Sequence, residues 1–264
     1  MRFMNKLNRI QEAHNTLLCV GLDPELDFLP DGFERSHRGV LDFNRAVIDA
    51  TSDLVCAYKL NFAFYEAMGA DGFDLLRSTL ELIPSGVVTI ADAKRGDIPN
   101  TARMYAKAIF EVLGFDSVTV NPYMGLDSMM PFFGYHEKGV WVLCRTSNSG
   151  GADIQLLEVD DTPLYQLVAS MVTRDNYAAD VGLVVGATAP DELEQVRRIA
   201  PKHPLLIPGI GAQGGDLVAA VGASRSGPVV INVSRSIIHG PVDGIRARAE
   251  KLWSEINALR AGYP

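Results

Sequence analysis

A chain of 264 residues, 47% hydrophobic and 21% charged, has the balance of a globular protein and the length of one large barrel or two ordinary domains. Its formal net charge of −8 argues against a nucleic-acid partner, and an acidic chain that takes an anionic ligand must gather positive charge locally. No run approaches the roughly 20 apolar residues of a membrane span, and the polar N-terminus lacks the apolar core of a leader, so no membrane partner and a cytoplasmic location are expected.

In chain order, residues 1–15 carry a polar helical pattern, and short β-branched runs follow at 17–23, 55–61, 87–94, 117–122, 139–147, 180–188, 204–211 and 228–237. Each run is nearly continuously apolar, as strands buried on both faces are. Helical patterns separate them. Thr188, Ala189 and Pro190 read as a cap followed by a first-turn proline, and the helix beyond puts Leu193, Val196 and Ile199 on one face. The final helix repeats this with Val242, Ile245, Leu252, Ile256 and Leu259. Strands alternating with helices predict an α/β fold, and their number predicts a single (β/α)8 TIM barrel spanning 1–264, with an open doubly wound sheet as the rival. The longest irregular stretches, 24–38 and 148–162, follow strand ends, where barrel enzymes place their binding loops.

Charged residues are rare in buried strands, yet several stand at the predicted C-terminal ends. Asp23 ends the first, Lys59 lies near the end of the second, Asp92 and Lys94 end the third, and Asp97 follows in the loop. Asp92 and Lys94 are two apart and should point to the same side of a regular strand. Any one of these could be a rim ion pair. Together they predict an alternating charge cluster in which each carboxylate stays ionised beside a cation, a costly arrangement that marks a candidate site.

A second constellation follows strands seven and eight. Pro208 opens a glycine-rich run to Gly215 that contains Gln213, and Ser234 and Arg235 follow the last strand. Loops in these positions frequently hold phosphate, with glycines exposing backbone N–H groups and arginine adding a forked charged contact. The same glycines spell GxGxxG, but Arg235 stands near where a dinucleotide fold needs an acidic residue, so that reading is disfavoured. His14, His37, His136, His203 and His239 form no metal-ligand spacing, and Cys19, Cys56 and Cys144 read as buried thiols. Trp141 and Trp253 read as packing residues, and the spacing of Tyr123, Asp127 and Arg145 assigns them no role.

Residues 91–98, with Asp92, Lys94 and Asp97 in DxKxxD spacing, resemble the signature of orotidine 5′-phosphate decarboxylases. The likeness extends over nearly the whole chain, through residues 20–23, 59–61, 146–148, 208–215 and 234–235, and is nearest to the longer-loop bacterial branch. It implies decarboxylation of orotidine 5′-monophosphate to uridine 5′-monophosphate, the last step of de novo pyrimidine nucleotide synthesis, with no cofactor and no metal. Asp23 and Lys59 would bind the ribose hydroxyls. Asp92 would face the substrate carboxylate, and Lys94 would stabilise and protonate the C6 carbanion. Ser147 would bond the pyrimidine, Gln213 and Arg235 would grip the phosphate, Ser234 would be a further substrate-binding residue, and Pro208 would open the closing loop. Asp97 and Thr101 would act across a homodimer interface; the apolar Ile98, Met104, Ala108 and Phe110 suit such a surface, and packing of that helix on its own barrel explains them equally well. Ser149 stands where relatives often carry proline after Ser-Asn, which should loosen that turn. Sugar-phosphate decarboxylases of the same superfamily share DxKxxD but place an acidic residue where Lys59 stands. A sugar-phosphate isomerase and a non-catalytic phosphate sensor are the other rivals.

Overall fold

The computed structural model describes residues 1–211 and 213–262; Ala212 of the glycine-rich run, and residues 263 and 264, lie outside them. Eight parallel strands close into a barrel: β1 (Leu18–Leu22), β2 (Ala57–Asn61), β3 (Val88–Arg95), β4 (Ser117–Val120), β5 (Gly139–Arg145), β6 (Asp180–Val185), β7 (Leu205–Pro208) and β8 (Val229–Val233). Each strand pairs with its sequence neighbours, and β1 pairs with β8, so the open-sheet rival is excluded. Helix α1 (Phe3–Ala13) precedes the barrel, and α2 (His37–Thr51), α3 (Gly72–Leu82), α4 (Pro99–Lys107), α5 (Met130–Phe133), α6 (Leu164–Thr173), α7 (Pro190–Ile199), α8 (Leu217–Gly222) and α9 (Ile245–Ala261) follow successive strands.

Helix α1 lies at the N-terminal mouth. Phe3 meets Trp141 edge to face at 5.7 Å, the Met4 amide donates to Asp180 at 2.9 Å, and Lys6 pairs with Asp116 at 2.8 Å. These partners stand at or near the starts of β4, β5 and β6, so the opposite, C-terminal mouth is the one left for a ligand. Trp141 is buried as expected, and Trp253 is half-buried with its indole N–H on the His14 carbonyl at 3.2 Å.

Several strands end earlier than their apolar runs. The reading to 147, 188, 211 and 237 is corrected to Arg145, Val185, Pro208 and Val233. Gly209, at φ +103°, leaves the extended region, and 235–238 form a helical turn whose Ile237 and Ile238 are buried. A buried helical turn is as apolar as a buried strand, so the run alone does not separate them. Thr188 is not a helix cap either: its hydroxyl donates to the Ser147 carbonyl at 3.2 Å, while Pro190 does open α7.

The loops 24–38 and 148–162 contain short turns and, in the second, a two-residue antiparallel ladder, Glu158–Val159 with Thr162–Pro163.

Arg197 ties the later strands together. Its buried guanidinium donates to the carbonyls of Ala200 at 3.0 Å, His203 at 2.8 Å and Pro228 at 2.9 Å. Burial pulls its pKa down to about 10. Arg197→Met should remove these three bonds at about 1 kcal/mol each, roughly 3 kcal/mol in all, although the Ala200 and Pro228 carbonyls keep the His203 and Leu205 amides. The urea midpoint should fall with an unchanged slope; an unchanged midpoint would show that the clamp contributes nothing.

Candidate active site

The ends of β1, β2 and β3 bring four charges together at the mouth of a cavity of about 460 Å³. Lys59 Nζ lies 2.8 Å from Asp92 Oδ2 and 3.8 Å from Asp23 Oδ1, and Lys94 Nζ lies 2.6 Å from Asp92 Oδ1. Register explains the first contact. Asn61 pairs with Asp92, so Lys59, two residues earlier on the same face of β2, reaches diagonally up to the carboxylate.

Burial alone would push the Asp92 carboxyl up. The Lys59 and Lys94 ammonium groups outweigh it and hold the pKa well below the usual range. Lys59 is the mirror case: burial lowers its pKa, but Asp23 and Asp92 raise it above the ordinary lysine value. Lys59 and Asp92 are thus both charged at neutral pH, with Lys59 buried and the Lys94 side chain 47% exposed.

The Asp92–Lys94 contact does not arise from regular strand alternation. Lys94 has φ +48°, and the β3–β4 register shifts from Ala91↔Val118 to Arg95↔Val120. Residues 92–94 therefore stand opposite Thr119 alone. The Thr119 hydroxyl accepts from the Lys94 amide at 2.9 Å and donates to Asp92 Oδ1 at 3.1 Å. Thr119 also lines the cavity, as do Asn61 and the buried Asn232, whose Oδ1 accepts from the Cys19 thiol at 3.5 Å. None of these three was singled out from the sequence as a site residue; their position at strand ends was the only signal.

Pro208, Gln213, Ser234 and Arg235 line the same cavity. Two glycines permit this packing. A Cβ on Gly21 would sit 2.7 Å from Ser234 Cβ, and one on Gly211, at φ +81°, would sit 2.1 Å from Ser236 Oγ. Ser234 Oγ donates to the Gly21 carbonyl at 3.3 Å, binding the β8 end to β1.

Ser147 lines the cavity on the β5 loop, and Ser149 does not leave that loop unsupported. Gln155 Oε1 accepts from the Thr146 amide at 2.9 Å, and its Nε2 donates to Thr146 Oγ1 at 2.8 Å. Arg145 donates to Gln155 Oε1 at 3.3 Å and pairs with Glu192 of α7 at 3.2 Å. A side-chain clamp thus supplies the restraint that a fixed proline φ would have given.

Asp97 and Thr101 are not brought to the cavity of their own chain. Asp97 Oδ1 accepts from the Ile98 amide at 2.8 Å, and the exposed Ile98, Met104 and Tyr105 lie nearby in sequence. Phe110 follows the packing alternative: it is buried against Tyr135, with ring centroids 4.9 Å apart. It lies in a π turn over 108–112, in which Ile109 is buried as well.

Cys19, Cys56 and Cys144 are buried and unpaired, and burial pushes the Cys56 and Cys144 thiols up to about 12. Among the described residues, no cluster of three or more His, Cys, Asp or Glu side chains is arranged to hold a metal ion.

Fold and site together define a class: (β/α)8 barrels that hold carboxylates and ammonium groups in alternation at the C-terminal mouth. The sequence model of the orotidine 5′-phosphate decarboxylase / HUMPS family matches residues 16–249. The chain belongs to this family. It is 49% identical, over 275 residues and the whole of both chains, to orotidine 5′-phosphate decarboxylase of Dehalococcoides mccartyi. The Leishmania donovani OMP decarboxylase structure superposes with a TM-score of 0.89 at 39% identity, covering 99% of each chain. Leishmania donovani UMP synthase matches at TM-score 0.89 and 41% identity over 98% of this chain, which spans 57% of that longer protein.

Proposed function

We infer that this chain decarboxylates orotidine 5′-monophosphate to uridine 5′-monophosphate and CO2, closing de novo pyrimidine nucleotide synthesis, and that it does so without metal or organic cofactor. The observation that carries the mechanism is the Lys59–Asp92–Lys94 chain, at 2.8 and 2.6 Å. Breaking the C6–carboxylate bond leaves an electron pair at C6 that the ring delocalises poorly. The Lys94 ammonium beside C6 stabilises that pair and then delivers its proton there, to be reprotonated from solvent. Fixed in place by Asp92, it needs little reorganisation as charge develops. Asp92, held anionic, disfavours the substrate carboxylate beside it. Asp23 Oδ1, buried without a hydrogen-bond partner, is suited to a ribose hydroxyl, with Lys59 completing that grip. Ser147 reads the pyrimidine. Gln213, Ser234 and Arg235 take the phosphate, and Pro208 opens the loop that closes on it, so that remote binding energy organises the reacting centre.

Asp97 and Thr101 complete this site from a second copy of the chain. Their absence from their own cavity and the exposed Ile98, Met104 and Tyr105 support a homodimer with shared sites. The whole chain works as one barrel domain in the cytoplasm; among the described residues no helix is long and apolar enough to cross a membrane.

The test is loss of ultraviolet absorbance when orotidine 5′-monophosphate is mixed with protein that has been exhaustively chelated and dialysed. Full turnover is expected. Activity that vanishes on chelation and returns with Mg²⁺, on a sugar phosphate rather than the nucleotide, would move the chain to the metal-dependent branch.

A further inference from the structure

The β3 bulge leaves the Lys94 N–H without a strand partner, because Ala91↔Val118 gives way to Arg95↔Val120 with only Thr119 between the partners on β4. The part-buried amide has no strand carbonyl to donate to, and the Thr119 hydroxyl takes it at 2.9 Å. The amide can only donate, so the hydroxyl acts as acceptor there and its own proton is free for another partner. It points to Asp92 Oδ1 at 3.1 Å. One side chain therefore holds both the backbone that aims Lys94, in the left-handed conformation at φ +48°, and the carboxylate that holds the Lys94 ammonium. Asp92 Oδ1 receives two donors and Oδ2 receives Lys59, so the carboxylate has no free rotation about its own axis.

We propose that Thr119 is a positioning residue for the decarboxylation, its hydroxyl coupling the Lys94 backbone to the Asp92 carboxylate so that the ammonium meets C6 in register. This deepens the reading above and rests on it. Thr119 needs no contact with substrate to act. It works by fixing where Lys94 and Asp92 stand, and a displacement of about 1 Å at such a centre costs on the order of 100-fold in rate.

The experiment compares Thr119→Val, Thr119→Ser and the parent by kcat, KM and affinity for uridine 5′-monophosphate. Valine keeps the volume and removes both hydrogen bonds; serine keeps both and loses one methyl. For Thr119→Val, kcat should fall about 10- to 100-fold with nucleotide affinity within about threefold. Thr119→Ser should recover to within about threefold of the parent kcat. Equal loss in the serine and valine variants would show that keeping the hydroxyl does not preserve the rate and would overturn the proposal, as would an unchanged kcat in Thr119→Val. If valine does not fold, the serine variant and Thr119→Ala, which removes the hydroxyl altogether, carry the same comparison: serine within about threefold of the parent kcat and alanine at least about 10-fold below it supports the proposal, and equal loss in both overturns it. A parent that turns over no orotidine 5′-monophosphate would instead count against the activity itself.

Discussion

Lys94→Ala should reduce kcat by about 10⁴-fold or more, because the proposed mechanism gives one residue both electrostatic stabilisation of the C6 carbanion and its proton. That corresponds to a barrier raised by about 5 kcal/mol. The protein should nevertheless stay folded. The Lys94 side chain is 47% exposed, and Asp92 keeps Lys59 at 2.8 Å and Thr119 at 3.1 Å after the truncation. Affinity for uridine 5′-monophosphate should therefore change by no more than about threefold, since the lost interaction is made in the transition state and not with the product. The measurement is kcat beside product affinity, with folding checked by circular dichroism. A well-folded Lys94→Ala protein with near-parent kcat would remove the central group of the mechanism.

Mixing two inactive variants, Lys94→Ala and Asp97→Ala, should restore activity to about half the parent rate per heterodimer, because in a two-fold dimer one site collects both defects and the other neither. The expectation follows from where the two residues stand. Lys94 lines the cavity of its own chain, whereas Asp97, three residues on, does not and caps the Ile98 amide outside it. Each variant is first shown to be folded, and exchange of subunits is confirmed by native mass spectrometry. If verified heterodimers remain as inactive as their parents, Asp97 serves its own subunit and the sites are not shared.

The charge cluster was legible because a buried parallel strand is otherwise apolar, so Lys59 and Asp92 stand out at strand ends without any knowledge of pairing. Neutral polar groups give no such contrast. Thr119 and Asn232 look like ordinary strand residues, and Gln155 like a loop residue, until closure of the barrel places Thr119 against a carboxylate 27 positions away and Gln155 against Thr146. The strand ends were overrun for a related reason: Ile237 and Ile238 continue an apolar run into a helical turn that is buried as deeply as the strand before it. The Ser149 departure, readable as a loose turn, is answered by Arg145 and Gln155, residues whose spacing assigned them nothing.

By itself the sequence determined the rhythm of strands and helices, the presence of two lysines and three carboxylates near strand ends, and a glycine-rich end with one arginine, because these depend on residue type and local spacing. Only the tertiary structure decided that Lys59 meets Oδ2 and Lys94 meets Oδ1 of the same Asp92, that β3 bulges opposite Thr119, and that Asp97 leaves the cavity its neighbours share. Those facts depend on register between strands and on a left-handed residue at Lys94, which are set when the barrel closes and every strand must satisfy two neighbours at once.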